Sequence, residues 1–386
     1  MAGLSGATLL NLGMLLGASF VVGELFERIG LESILGYILT GLVLGPSVLG
    51  LMEASSVTGF ATIGAILILF QAGLREQNVK EIFLHREGLQ LGTAILFGGF
   101  AFIFAGLYFF GSQFLPYSSL EAFVFLALAY SLVDIAVPSK IMLSRGMLRE
   151  KTGKYTIKSS VINVSAGFIA LTALVVISSN SLQSQLIKIG SILGFAVAFY
   201  ILHEVIGKID DYIIMFEETE AQFAITFALL LSMSYVTQTI GISSILGAFF
   251  AGILVSRSDF SESKAFQEKI RGISEGLFIP IFFAWFGLGL ILETIIANIQ
   301  AATFLFLLST ISKIGIGYAT SKIHDMEKPM TIATSLLSLD IETLIVLLIA
   351  IDLGILNQQI LQIFAPSVLF STLTIITLYT IIDKKQ

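Results

Sequence analysis

Residues 29–44 read IGLESILGYILTGLVL, and residues 240–255 read IGISSILGAFFAGILV. They share Ile29/Ile240, Gly30/Gly241, Ser33/Ser244, Ile34/Ile245, Leu35/Leu246, Gly36/Gly247 and Gly41/Gly252, seven identities in sixteen positions without a gap. A weaker echo pairs LFQAGL at 69–74 with FAWFGL at 283–288. A shared glycine-rich packing motif would give such matches without a duplication. An ancestral repeat gives them in a definite order along the chain, and the surrounding sequence supplies that order.

Thirteen apolar segments can be marked, near 5–25, 33–51, 57–74, 89–111, 120–143, 155–178, 185–206, 220–239, 242–256, 272–292, 299–321, 329–351 and 358–382. Each is close to the ~20 residues a helix needs to cross the hydrocarbon core. Nineteen of the 21 basic residues fall in the connections after odd-numbered segments or in the segment ends that border them, and none falls after an even one. Basic loops are poorly translocated. The N-terminus is therefore expected outside and the C-terminus in the cytoplasm of a multi-pass inner or plasma membrane protein. The repeat matches join segments 2 and 9, and 3 and 10. An offset of seven segments reverses direction across the membrane, which predicts two six-helix inverted repeats with segment 7 as linker. Inverted repeats with broken helices at the midplane belong to secondary transporters.

Composition points the same way, with mean hydropathy +0.94 and only 12% charged residues, about half the share of a soluble domain. No G-x-x-x-x-G-K-[ST] phosphate cradle occurs, so neither a nucleotide nor ATP-driven transport is expected. Nothing points to nucleic acid, an enzyme or a cofactor. Cysteine is absent and the three histidines are scattered, so no metal site is expected. Short loops leave little room for a further domain, and segment 1 lacks the basic flank and cleavage signature of a signal peptide.

The functional candidates are polar groups that reach neither surface. At 1.5 Å per residue, Asp134 lies ~21 Å into segment 5, Lys313 ~21 Å into segment 11, Asp340 ~16 Å into segment 12 and Asn163 ~12 Å into segment 6. Glu342 follows Asp340 by two residues, and Ser131 precedes Asp134 by three. Segments 5 and 12 each carry Asp-Ile mid-span, Asp134-Ile135 and Asp340-Ile341, beside helix-weakening company: Pro138 in one, Thr334, Ser335 and Ser338 in the other. Proline removes a donor, and hydroxyls compete for backbone groups. Three acids face one base where unbalanced charge is costly, so protons or a bound cation must cancel the surplus. A site that either can neutralise couples the two. The plainer alternative is that Lys313 ties down one carboxylate and the others stay protonated structural donors.

These residues resemble the monovalent cation:proton antiporters, in the branch of bacterial sodium/proton and potassium/proton exchangers. GYILTGLVLGPSVLGL at 36–51 and IGAILILFQAGL at 63–74 are similar to that family's second and third helices, and 240–256 and IPIFFAWFGLGL at 279–290 to its later signatures. The resemblance implies a single all-α transmembrane domain and a homodimer. It implies a panel of about 5–74 and 220–292, a moving core of about 89–178 and 299–382, a linker helix at about 185–206, and crossed broken helices in segments 5 and 12. Lys313 and Glu342 fall on family positions. The family's ion-binding run reads Val161-Ile162-Asn163-Val164 here, with Asn first, as in members held to be electroneutral, and Val164 where the essential aspartate usually stands. Relatives usually carry Ser or Thr at the position of Asp134. The expectation is proton-coupled monovalent cation antiport, with Asp134 replacing the missing aspartate and Asp340 assisting. Transport of another solute, such as an anion held by Lys313, or a degenerate non-transporting member are the alternatives.

Overall fold

Backbone polar groups in hydrocarbon must be satisfied within the chain, which long apolar runs achieve as helices. In the computed structural model every regular element among the described residues is helical. The structure describes the chain apart from residues 1–5, 30–32, 75–85, 135–141, 143–146, 148–149, 179–189, 191–193, 196, 203, 205–218, 241–243, 340 and 384–386. Asp340, Pro138 and most of the linker segment 185–206 thus lie outside the described residues.

The chain forms two compact units, Met1–Gln77 with Ser179–Ile291, and Asn78–Ser178 with Leu292–Gln386. The first contains α1 (Gly6–Arg28), α2 (Ser33–Leu44) and α3 (Thr58–Leu74). The second begins with α4 (Gly88–Phe114), which holds π turns at Ala94–Gly98 and Leu107–Gly111, followed by α5 (Leu120–Ser131) and α6 (Lys151–Ile177). The first unit resumes with α7 (Thr219–Thr239), α8 (Ser244–Val255) and α9 (Lys264–Leu288). The second closes with α10 (Ile299–Ile323), α11 (Pro329–Ser335), α12 (Ile341–Asp352) and α13 (Gln359–Asp383). Among the described residues, seven helices are long and apolar enough to cross a membrane, while α2, α3 and α5 are shorter apolar helices.

Lipid gives apolar helices no hydrophobic reason to associate, so contact rests on close backbone approach at small residues. In the first unit α2 packs on α9 and α3 on α8. A Cβ on Gly41 would fall 1.9 Å from the Ala284 carbonyl, and one on Gly287 2.1 Å from that of Ile38. The other contact is built alike: a Cβ on Gly73 would meet the Phe249 carbonyl at 2.2 Å, and one on Gly252 that of Phe70 at 2.2 Å. Gly41 matches Gly252 in sequence and Gly73 matches Gly287, so one contact maps onto the other. Outward residues such as Leu10, Phe109 and Tyr235 are exposed, as a surface against lipid requires.

In the second unit α6 packs on α4, α5 on α4 and α12, and α10 on α11 and α13. Two of its helices stop mid-run. Hydropathy stays apolar from 120 to 143, yet α5 ends at Ser131 and Leu132–Asp134 continue without helix. The hydroxyl of Ser131 turns back to the Leu128 carbonyl, a local bond that competes with the helical ladder. The run 329–351 likewise splits into α11 and α12. Proline at the start of α11 needs no N–H there, and Ser335 Oγ bonds back to the Thr331 carbonyl at its end.

Gly252→Val places branched carbons where two backbones touch. It is expected to lower the unfolding midpoint of the purified protein, by the about 1–3 kcal/mol typical of overpacking. Gly17→Ala, where an added Cβ meets nothing within 4 Å, should leave that midpoint in place.

Candidate functional site

A helix that stops in hydrocarbon presents carbonyls with no helical donor. At the end of α5 each is answered. Ser131 Oγ donates to Leu128 O at 2.8 Å, and the Leu132 N–H to Ala129 O at 3.4 Å. Ser309 Oγ of α10 donates to Tyr130 O at 2.7 Å, and Asn163 Nδ2 of α6 to Ser131 O at 3.2 Å. Lys313 Nζ of α10 donates to Leu132 O at 2.5 Å. The first free N–H beyond the break, on Val133, donates to Asn163 Oδ1 at 3.0 Å.

The second break meets the first here. Lys313 Nζ also donates to Ser338 O at 3.3 Å, and the Asp134 N–H lies 3.5 Å from the same carbonyl. Ser338 Oγ donates to Asp134 Oδ2 at 3.4 Å. One ammonium therefore bridges the carbonyl end of α5, where partial negative charge gathers and a cation is stabilised, to the non-helical backbone that follows α11. Lys313 is 0% exposed, Asp134 4% and Asn163 1%. Among the described residues, the acidic groups acting electrostatically on Lys313 are Asp134 and Glu342. Glu342 is partly buried in the first turn of α12, where the helix dipole favours an anion.

Of the residues singled out from sequence, Ser131, Asp134, Asn163, Lys313 and Glu342 all belong to the second unit. The bonds above draw Ser131, Asp134, Asn163 and Lys313 into one buried cluster. Asn163 engages backbone with both ends of its amide, a strap across the break rather than a side chain aimed at an open site. Val164, buried beside it in α6, adds no polar atom. Ser309 was not singled out. It lies one helical turn before Lys313 on the same face, and a serine so placed under a buried lysine is the signal that would have found it. Chemically, the Asp134 carboxylate, Ser338 Oγ and the carbonyls of Leu132 and Ser338 form an oxygen-rich group suited to a hard monovalent cation. Two of them, the carbonyls of Leu132 and Ser338, are bonded to the Lys313 ammonium.

The model of the sodium/hydrogen exchanger transmembrane family matches residues 15–381. The chain is 27% identical to the "Probable Na(+)/H(+) antiporter GerT" of Bacillus cereus, across 76% of this chain and 77% of that protein. It is 25% identical to the Na(+)/H(+)-K(+) antiporter GerN of Bacillus cereus, across 80% and 78%. Its fold is similar to that of the sodium proton antiporter MjNhaP1 from Methanocaldococcus jannaschii, with TM-score 0.66 and 16% identity, covering 96% of this chain and 95% of the other.

Asn163→Ala should lower the unfolding midpoint, since Val133 N–H and Ser131 O each lose a partner at about 1–3 kcal/mol apiece. Asn163→Asp should not restore it, because a carboxylate cannot donate to Ser131 O. Unchanged midpoints in both variants would contradict the strap.

Proposed function

Because the chain belongs to the transmembrane sodium/hydrogen exchanger family, we propose that it is a secondary transporter exchanging a monovalent cation, Na⁺ or K⁺, for protons. Asp134 takes the role of the aspartate that Val164 displaces. The observation that carries this reading is the placement of Asp134. Its buried carboxyl sits on the unwound stretch after α5, is tied through Ser338 Oγ to the second break, and acts electrostatically on the buried Lys313. Burial makes an uncancelled carboxylate costly. A proton on Asp134 and a cation among its oxygens are then alternative ways to reach the same charge, and alternatives at one site are exchanged for each other.

In this reading the chain crosses a plasma membrane in thirteen segments, N-terminus out and C-terminus in, as two inverted six-helix repeats and a linker. The mirrored contacts Gly41–Gly287 and Gly252–Gly73 support the repeat. The division into two units, with the candidate residues all in one, supports elevator-like movement of a core (89–178 and 299–382) against a panel (5–74 and 220–292) within a homodimer. Asp340, two residues before Glu342, is proposed to assist Asp134. An anion reading is disfavoured at the α12 N-terminus, whose first turn already holds Glu342.

In proteoliposomes with an imposed pH gradient, Na⁺ or K⁺ should trigger proton movement. Asp134→Asn should reduce it by about a hundredfold, the size of losing a positioned proton acceptor. Flux that survives this substitution would return the role to Asp340 or Glu342. No flux with any cation would refute antiport.

A further inference from the structure

Two buried hydroxyls of the second unit have no hydrogen-bond partner among the described residues, Thr334 Oγ1 of α11 and Ser321 Oγ of α10, both 0% exposed. Buried hydroxyls are as a rule satisfied by protein or by internal water. An internal water needs several polar neighbours, and the surroundings of Thr334 supply them in register.

α10 and α11 run antiparallel. A Cβ on Gly317 would lie 3.3 Å from Ala333 Cα, and Lys313 Nζ reaches the Ser338 carbonyl. Thr334 therefore stands between the Gly317 level and the Lys313 level, about one turn short of Ser338. Ser321 lies one turn beyond Gly317, toward the end of the unit where Lys328 pairs with Glu150 at 3.1 Å.

α6 runs parallel to α11. Thr152 Oγ1 donates to Glu327 O at 3.3 Å, while Asn163 holds the backbone that lies on Ser338. These two links flank α11 on either side, and Thr156 and Ser160 of α6, like Thr331, Thr334 and Ser335 of α11, lie between them in sequence. Thr156, Ser160 and Thr331 are buried. Thr156 and Ser160 donate their protons to carbonyls of their own helix, at 2.9 Å each. Each hydroxyl oxygen keeps lone pairs that can accept from water. The opposite side of α11, Ile332 and Leu336, belongs to an apolar cluster with Leu91, Ile95 and Val133. The hydroxyls thus mark one polar side of an otherwise apolar helix.

We propose that this side is a hydrated hydroxyl column inside the second unit, rising from Ser321 and Thr331 past Thr334 to Ser338 and Asp134, and that it carries protons between that end of the unit and the Asp134 carboxyl. Hydroxyls and water pass a proton along without net charge being buried at any fixed point. A bare monovalent cation needs a full shell of oxygens at each step, which a line of single hydroxyls does not offer. The column rests on the antiport reading for its purpose, and on burial and register for its existence.

The chain contains no cysteine, so a single introduced thiol is an unambiguous reporter. Thr334→Cys and Ser321→Cys in nanodiscs are exposed to a small water-soluble methanethiosulfonate. Leu344→Cys in apolar packing and Ser371→Cys, where the native hydroxyl is bonded to the Val368 carbonyl, serve as controls. Thiols react as thiolates, which need water, so the first two should modify at least about tenfold faster than the controls. Rates no faster than the controls would overturn the column whether or not the protein transports anything. Function is read with Thr334→Val, which keeps shape and removes the oxygen, against Thr334→Ser. The valine variant should slow cation–proton exchange severalfold, leave cation–cation self-exchange and the unfolding midpoint unchanged, and be rescued by serine. Normal cation–proton exchange in Thr334→Val, or equal loss of both exchanges, would overturn the proton route.

Discussion

The ammonium of Lys313 ties the end of α5 to the backbone that follows α11. A helix can stop in hydrocarbon only if its last carbonyls find donors, and Lys313 bonds the carbonyl of Leu132, just past the end of α5, together with that of Ser338, three residues past α11. The remaining ends are closed by neutral groups, Ser131, Ser309 and Asn163. A neutral donor in place of Lys313 could meet the hydrogen bonds. It would not answer the partial negative charge at the end of α5, nor oppose Asp134 and Glu342. The lysine is thus both a donor to the broken backbone and the positive charge that faces the Asp134 and Glu342 carboxyls.

The two units solve different problems with different residues. The first unit is assembled at glycines that let backbones touch, as at Gly41–Gly287 and Gly252–Gly73. The second unit carries buried serines, threonines, an asparagine and a lysine, of which Ser131, Ser309, Asn163 and Lys313 close the α5 break. Packing by small residues gives rigid, shape-determined contacts. Polar closure gives a site whose bonds can be rearranged when a charge arrives.

Much of the helical layout was legible in the sequence because lipid imposes length and hydropathy on every span. The positions of Asp134, Lys313 and Asn163 were legible for the same reason, since a polar group in an apolar run stands out. Their roles were less so. Hydropathy does not record where a helix stops, so the end of α5 at Ser131 is invisible in a run that stays apolar to 143. Asn163 reads as an ion ligand by its place in a motif. The structure gives both its amide atoms to the backbone of the α5 break, a pairing across thirty residues that no local pattern encodes. Ser309 and Thr334 look like ordinary helical hydroxyls. Only three-dimensional register separates one that caps a carbonyl from one that has no protein partner.

The central claim is that one carboxyl, Asp134, is where proton and cation replace each other. Proton release on cation binding tests this without requiring turnover. Calorimetric titration of the purified protein with Na⁺ or K⁺, in buffers of different ionisation enthalpy, reads the protons released per cation bound. The account predicts release from the wild type and none from Asp134→Asn. Undiminished release from Asp134→Asn would contradict it.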